Sequence, residues 1–358
     1  MFTANDKKMN KNEFLSLVSR IISGEKVERQ ALHALLSSYG EEEQSLLAEK
    51  ARETSARVFG KGVYVRGLVE ISSFCRNNCF YCGLRCANKA ASRYRLSKDD
   101  ILASCREGAS LGFNTFVLQG GEDPQQTDAF IADVVAAIHA EFPHKAITLS
   151  VGERSKEAYK AFLEAGATRY LLRHETRNDA HYAHLHPSAM SAENRRTCLF
   201  TLRELGYQVG SGMMIGSPGQ TIENIVEDIL FLQELQPQMI GVGPFIPAAG
   251  TPFEQQPAGG AHLTLFLYSL LRLLFPKVLL PATTALSTLL PDGVERGILA
   301  GANVVMPNLS PLAVRDKYSI YNNKKSHGSE SAQQLALLEK RLQAIGYHID
   351  YSRGDYPF

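Results

Sequence analysis

The sequence predicts an α/β fold, a TIM-type (β/α)8 barrel with N-terminal helices and a C-terminal extension. Three observations carry this. Eight apolar, strand-like runs follow one another at residues 63–72, 115–119, 146–151, 169–172, 208–215, 239–245, 278–283 and 302–306. Amphipathic stretches of helical period lie between most of them, such as 98–111, 130–142, 155–165, 192–205 and 222–235. Gly112, Gly166, Gly206 and Gly301 each follow a last helical turn, where a left-handed residue without a Cβ ends a helix at no steric cost. The alternation alone also admits an open doubly wound sheet. The count of eight, spread over residues 63–306, favours closure.

Taken in order, residues 1–58 read as an N-terminal helical segment. Phe14, Leu15, Val18 and Ile21-Ile22 fall at helical spacing, as do Leu32, Leu35-Leu36 and Leu46-Leu47. Residues 59–310 form the barrel, and 311–358 form an extension packed on it, with a helix over 332–342 and a solvated loop over 322–331. The strand ends are polar: Glu70-Ser72, Gln119–Glu122, Ser150, Arg173-His174-Glu175, Thr283-Thr284 and Met306-Pro307-Asn308. Barrel enzymes place their chemistry on that rim.

Composition removes several classes of function. The 358 residues are 44% hydrophobic, which is globular rather than disordered. Lys and Arg number 38 against 37 Asp and Glu, so no strong grip on nucleic acid or a membrane surface is expected. No run approaches the ~18 apolar residues of a membrane span. Residues 1–8 carry no apolar signal core, and a cytoplasmic location is expected. Of six cysteines, four crowd into residues 75–86. A disulfide framework spreads its cysteines through a small secreted chain, so metal or redox chemistry is the better reading.

Cys75, Cys79 and Cys82 form C-x3-C-x2-C directly after the first strand. Three thiolates in one tight loop can bind three irons of a cubane and leave the fourth open, whereas an all-cysteine cluster takes four. Cys86 keeps two other readings alive. Four thiolates could hold zinc, although closed zinc sites join two separated pairs. They could equally hold a fully ligated electron-transfer cluster, although the C-x3-C opening and the missing Cys-Pro depart from ferredoxin spacing. Cys105 and Cys198 lie on amphipathic helices and read as buried structural thiols.

With Tyr81 just before the last cysteine, this motif resembles that of the radical S-adenosylmethionine enzymes. Gly120-Gly121-Glu122, ending the second strand, resembles that family's Gly-Gly-Glu turn. Seven further segments, at 66–72, 93–96, 118–124, 170–176, 243–247, 281–285 and 301–308, resemble the HydE family of FeFe-hydrogenase maturases. The resemblance covers roughly the whole barrel. It implies one 4Fe-4S cluster held by Cys75, Cys79 and Cys82, and S-adenosyl-L-methionine cleaved to methionine and a 5′-deoxyadenosyl radical. The turn Gly120, Gly121 and Glu122 would meet the methionyl amino group, with Glu175 and Arg195 binding its amino and carboxylate ends. Their charges are complementary to those ends, since a carboxylate meets an ammonium and a guanidinium fork meets a carboxylate. Tyr81 and Met306 would pack on the cofactor. Gln119, Thr148, Arg173, Thr283 and Thr284 would line the substrate cavity, and Tyr318 and Arg173 would act at the reacting centre.

Plainer readings stand beside these. Arg173 and Glu175 could form a rim salt bridge, the threonines could be ordinary strand residues, Tyr318 could be packing, and Arg195 a solvated helix residue. His174, His181, His184 and His186 suggest a metal, yet only one pair has helical ligand spacing. The family implies a small cysteine-bound iron complex of carbon monoxide and cyanide as substrate, with other hydrogenase maturases and a low-potential electron donor as partners. Three alternatives remain: a methylornithine-synthase-like mutase, a biotin-synthase-like sulfur inserter, and a non-catalytic iron–sulfur carrier with Cys86 as fourth ligand. No cysteine follows Cys198, so one cluster per chain is expected.

Overall fold

The computed structural model describes residues 9–358; the expectation for residues 1–8 lies outside the described residues. Three helices come first, α1 (Lys11–Ile22), α2 (Arg29–Ser37) and α3 (Glu41–Phe59). Asn10 starts α1 through a capping box with Glu13, which satisfies two backbone donors reciprocally. Phe14, Val18 and Ile21 are buried as their spacing predicts, while Leu15 and Ile22 face solvent.

The repeating region then runs β1 (Gly62–Val65), β2 (Gly67–Ser72), α4 (Lys98–Ser110), β3 (Thr115–Gly120), α5 (Asp128–Glu141), β4 (Ala146–Ser150), α6 (Lys156–Ala165) and β5 (Ala167–Leu171). It continues with α7 (Asp179–Leu185), α8 (Ala192–Glu204), β6 (Gln208–Ser211), β7 (Met214–Ile215), α9 (Ile222–Leu235), β8 (Met239–Ile240), β9 (Gly243–Pro244) and α10 (Ala261–Leu274). Last come α11 (Thr284–Leu289), α12 (Gly293–Leu299), β10 (Val304–Val305), α13 (Leu312–Arg315), α14 (Leu335–Ala344) and β11 (His348–Asp350). Ser97, Thr127, Ser155, Ser191 and Thr221 cap the helices that follow them. The four glycines read as helix stops all have positive φ.

Six strands pair in parallel in the order β2-β3-β4-β5-β6-β8. A few backbone hydrogen bonds at each seam close the ring. Ile240 N donates to Leu279 O (3.0 Å), Ala282 N to Val304 O (2.9 Å) and Leu68 N to Pro307 O (3.0 Å). Residues 279–281 and 304–308 thereby serve as the seventh and eighth staves, and the expected eight-stave barrel is present.

Three predicted runs break for visible reasons. Residues 208–215 divide into β6 and β7 at Gly212 (φ +155°), where a Cβ would stand 1.9 Å from Gly241 O. The same close approach divides 239–245 into β8 and β9, which leaves β7 to pair with β9. At 63–72, β1 turns aside to pair with β10 and β11, so the C-terminal extension is stitched into the barrel wall. The predicted helix over 332–342 is a short 3-10 turn, Ala332–Gln334, running into α14.

The loop over 322–331 is not simply solvated. Ser326 and Ser331 are buried, and Lys324 reaches inward to Glu70 (2.7 Å). Buried ion pairing and the Asn308 N to Glu330 O bond (2.7 Å) draw it over the barrel mouth.

One apolar core joins Phe14 and Leu36 of the N-terminal helices to Phe116 and Leu199 of the barrel and Leu338 of α14. Within it lies Arg272, fully buried. Its guanidinium donates to Gly301 O (2.8 Å), Pro276 O (2.9 Å), Val278 O (2.7 Å) and Asn303 Oδ1 (2.9 Å). These bonds tie the seventh stave to the eighth. Arg272→Leu strands several buried acceptors, each worth ~1–3 kcal/mol. We expect a loss of at least ~3 kcal/mol in chemical denaturation.

Candidate active site

The loop carrying Cys75, Cys79 and Cys82 leaves the C-terminal end of β2. Its two ends are tied together: Ser73 N donates to Tyr94 O (3.1 Å) and Leu96 N to Ile71 O (2.9 Å). Inside it, the Arg93 guanidinium donates to the carbonyls of Ser73, Leu84, Arg85 and Asn88 at 2.5–3.3 Å. A cation satisfying four carbonyls lets a loop without secondary structure keep one shape. Cys86 N donates to Asn77 O, but its side chain is exposed.

The three motif thiols are half-buried. Burial pushes all three up, Cys82 to about 12 and Cys79 further. They are therefore neutral until a metal displaces their protons. Among the described residues no three His, Cys, Asp or Glu side chains converge on one metal ion. A cubane asks something different, because each thiolate meets its own iron. Three sulfurs on one inward-facing loop match that donor set.

Asp123 anchors the loop's base through Ser72 Oγ (2.6 Å) and Arg95. Burial opposes its ionisation, but the bonds from Arg95, Ser72 and Gln125 N outweigh that and hold its carboxyl below 3.8. A depressed native pKa stabilises the fold above the unfolded value and is lost as pH falls through the native one. Stability of the apo-protein should therefore drop on acidification below about 4, and Asp123→Asn should flatten that limb in urea titrations at several pH values.

Gly120-Gly121-Glu122 ends β3 against this loop. A Cβ on Gly121 would lie 2.2 Å from Phe74 O and 2.7 Å from Cys75 Cβ, so backbone meets backbone as only glycine permits. Glu122 clamps the contact. Its carbonyl accepts from Arg76 N (2.9 Å), and its carboxylate accepts from Arg76 Nε (3.1 Å) and Glu153 N (3.0 Å).

After β5 the chain makes a tight turn. Glu175 has φ +65°, and Thr176 N donates to His174 O across it (2.9 Å). This is a γ-turn of the rarer hand, and such backbone strain costs ~1–3 kcal/mol and collects at functional sites. Arg173 Nη2 meets Glu175 Oε2 at 2.9 Å, so the plainer salt-bridge reading of that pair is also realised. Arg195, buried on α8, donates to Glu153 (2.5 Å) and to Arg173 O (3.2 Å). Cys79 and Tyr81 both sense the charges of Glu175 and Arg195, which places this charged string beside the thiol loop.

Tyr81 is oriented from behind. Its hydroxyl lies 3.1 Å from His186 Nε2, and His186 Nδ1 lies 3.0 Å from Tyr182 O. Burial drops His186 to about 3, so the ring is neutral. Nδ1–H donates to the carbonyl and Nε2 accepts from Tyr81.

The residues read as substrate contacts divide by depth. Gln119 Nε2 reaches the buried Tyr318 hydroxyl (3.4 Å). Thr283 Oγ1 pairs with Tyr268 (3.2 Å) and Thr284 with Glu330 (3.2 Å). Thr148 sits lower. Its buried hydroxyl has no partner and lines a small cavity with Arg66, Arg169, Gln208 and Met239. Met306 packs beside Leu171, Leu279 and Val304 in the barrel interior. Two site residues escaped the sequence reading, Glu153 and Lys324; Lys324 pairs with Glu70, read only as a polar strand end, and the pair flanks Tyr318 with Lys324 Nζ 5.5 Å from its ring. The lone Glu inside the apolar run Val69-Glu70-Ile71 was the available signal that a buried cation would meet it.

A closed parallel barrel with thiols above its first stave is the architecture of a radical S-adenosylmethionine enzyme. Comparison with known proteins bears this out: a model of the radical SAM superfamily matches residues 69–232. Over 318 residues the chain is 41% identical to the FeFe hydrogenase maturase subunit HydE of Thermotoga maritima, covering 89% of this chain and 90% of that one. The chain belongs to the radical SAM superfamily and, within it, to the family of HydE. It is 30% identical over 343 residues to 3-methylornithine synthase of Methanosarcina acetivorans, with 95% of each chain covered. The crystal structure of methylornithine synthase superposes with a TM-score of 0.83 at 27% identity, over 93% of this chain and 97% of that one. HydG, described as a maturase of the FeFe hydrogenase, superposes at 0.82 and 19%, over 96% and 77%; at that identity it shows the shared fold alone. Enzymes of this superfamily bind a 4Fe-4S cluster and S-adenosylmethionine. No helix among the described residues is long and apolar enough to cross a membrane.

Proposed function

We propose that this chain is a HydE-type maturase, acting on a small cysteine-bound iron complex of carbon monoxide and cyanide during assembly of the FeFe-hydrogenase centre. The observation that carries the reading is 41% identity along nearly the whole chain to HydE, against 30% to methylornithine synthase. Cys75, Cys79 and Cys82 would hold the cluster. When bound, the cluster and S-adenosylmethionine together supply a 5′-deoxyadenosyl radical. Everything else falls to the protein.

Glu175 takes the methionyl ammonium and Arg195 its carboxylate, a division supported by their charges and by their nearness to Cys79. The Gly120-Gly121 backbone leaves room for that ligand, and Tyr81, locked by His186, gives it an aromatic wall. Deeper in the mouth, Arg173 is suited to a substrate carboxylate, and Gln119, Thr283 and Thr284 to its acceptor atoms. Tyr318 stands between Gln119 and the Glu70–Lys324 pair. Burial drives its hydroxyl well above the usual phenol range, so it stays protonated and can donate a hydrogen bond. The barrel wall keeps water from the reacting atoms and holds them in contact distance. Other maturases and a low-potential electron donor complete the proposed partners.

The test has two arms. Anaerobically reconstituted protein should release 5′-deoxyadenosine and methionine on reduction. It should also replace HydE in an in vitro maturation mixture that yields active hydrogenase. Cleavage without maturation, together with formation of 3-methylornithine, would transfer the chain to the mutase reading.

A further inference from the structure

We propose that His174 and Asp228 are positioning residues for S-adenosylmethionine: they lock Glu175 in the strained turn that sets its carboxylate in the site. This rests on the reading of Glu175 as the ammonium partner. Among the described residues three others than glycine have positive φ: Glu175, Gln236 and Asn323. Gln236 merely ends α9 as a left-handed cap, and Asn tolerates that region by its own side-chain bonds. Glu175 has neither excuse and sits at a stave end, so its neighbours must impose the conformation.

They do so from both sides. His174 is 1% exposed and Asp228, on α9, is 0% exposed. His174 Nδ1 lies 3.0 Å from Ser211 Oγ at the end of β6, and its Nε2 lies 3.3 Å from Asp228 Oδ1. The same Asp228 oxygen accepts from Arg177 N. One carboxylate thus abuts the side chain just before Glu175 and accepts from the backbone two residues after it. Glu175 N itself donates to Gly212 O (3.1 Å), the glycine whose backbone abuts Gly241. Phe231 of α9 packs edge-on against the His174 ring (4.9 Å).

The Asp228 carboxylate stands in contact with Nε2 without an aligned hydrogen bond, and the Ser211 hydroxyl holds Nδ1. The turn is therefore referenced to β6 and α9 rather than to the loop that follows it. An ordinary turn here would carry glycine at 175 and an apolar residue at 174. A buried carboxylate with one oxygen lacking any partner, beside a ring nitrogen that also lacks a hydrogen bond, is a costly fitting, of the kind found where geometry has to be held for function.

The experiment uses reconstituted holoprotein and two readouts: the dissociation constant for S-adenosylmethionine, and the change that the ligand causes in the EPR signal of the reduced cluster. Asp228→Ala should keep wild-type iron content, since the thiol loop is untouched, yet bind at least about tenfold more weakly and lose the EPR change at wild-type saturating ligand. Asp228→Asn keeps an acceptor for Arg177 N and should recover part of that affinity. Glu175→Ala should weaken binding at least as much. The double variant Glu175→Ala/Asp228→Ala should be no weaker than Glu175→Ala alone, because both act through one carboxylate.

Wild-type affinity in Asp228→Ala beside a weakened Glu175→Ala overturns the proposal, and so does an additive double variant. Wild-type affinity in Glu175→Ala overturns the reading beneath it. Should Asp228→Ala not accumulate as folded protein, Ser211→Ala removes only the Nδ1 partner. It should weaken binding about threefold or more, and unchanged affinity overturns the proposal.

Discussion

Cys79→Ser, like Cys75→Ser and Cys82→Ser, is expected to fold and to hold less than about one iron per chain after reconstitution, against about four for the wild type. The loop does not need the cluster for its shape. Arg93 and the Ser73–Tyr94 and Leu96–Ile71 bonds tie it through protein atoms alone, so circular dichroism and the melting temperature should change little. Cys86→Ser should load iron normally, because its thiol is exposed, unlike the half-buried three. Iron and sulfide analysis with the cluster's visible absorption reads all four variants. Full loading in any of the first three, or loss in Cys86→Ser, reassigns the ligands and revives the four-thiolate reading.

The second large effect comes from a methyl group. Gly121→Ala inserts a Cβ into Phe74 O and the Cys75 Cβ, neither of which is a flexible side-chain tip. Either the turn or the thiol loop must move, and in the proposed site both face the same ligand. The variant should lose half or more of its cluster and at least about tenfold in S-adenosylmethionine affinity, about 1.4 kcal/mol. Gly120→Ala is the control. Its Cβ would meet Ile71 Cγ1 at 3.2 Å, a contact a side chain can relieve, so a far smaller loss is expected. Equal effects at the two positions would mean that close backbone approach is not what the turn supplies.

How much of this could be read from the chain depends on which physics wrote it. The alternation of apolar runs and helical periods is local, and the eight staves and their glycine stops emerged from it. The breaks in 208–215 and 239–245 were hidden because they arise between Gly212 and Gly241, two residues on different staves. Helix α10 differs from the others in that every residue from Leu263 to Leu273 is buried, so its polar positions meet other elements rather than solvent. In the site, the thiols and the diglycine turn were legible because their chemistry is carried by residue type and spacing. Glu153 and Lys324 were not, since each matters through a partner far along the chain, Arg195 and Glu70 respectively. His174 showed itself only as part of a polar strand end and as one of four histidines that suggested a metal. What distinguishes it is the carboxylate of Asp228, which three-dimensional packing brings to it.

Central to the proposed chemistry is a cubane with one iron left for an amino acid to chelate. Mössbauer spectroscopy of 57Fe-reconstituted protein, recorded before and after S-adenosylmethionine is added, addresses that directly. One iron in four should change its parameters on addition, while the other three stay as they were. Four irons indifferent to the ligand would mean a cluster saturated by protein thiolates, and the radical chemistry assigned to this barrel would have no starting point.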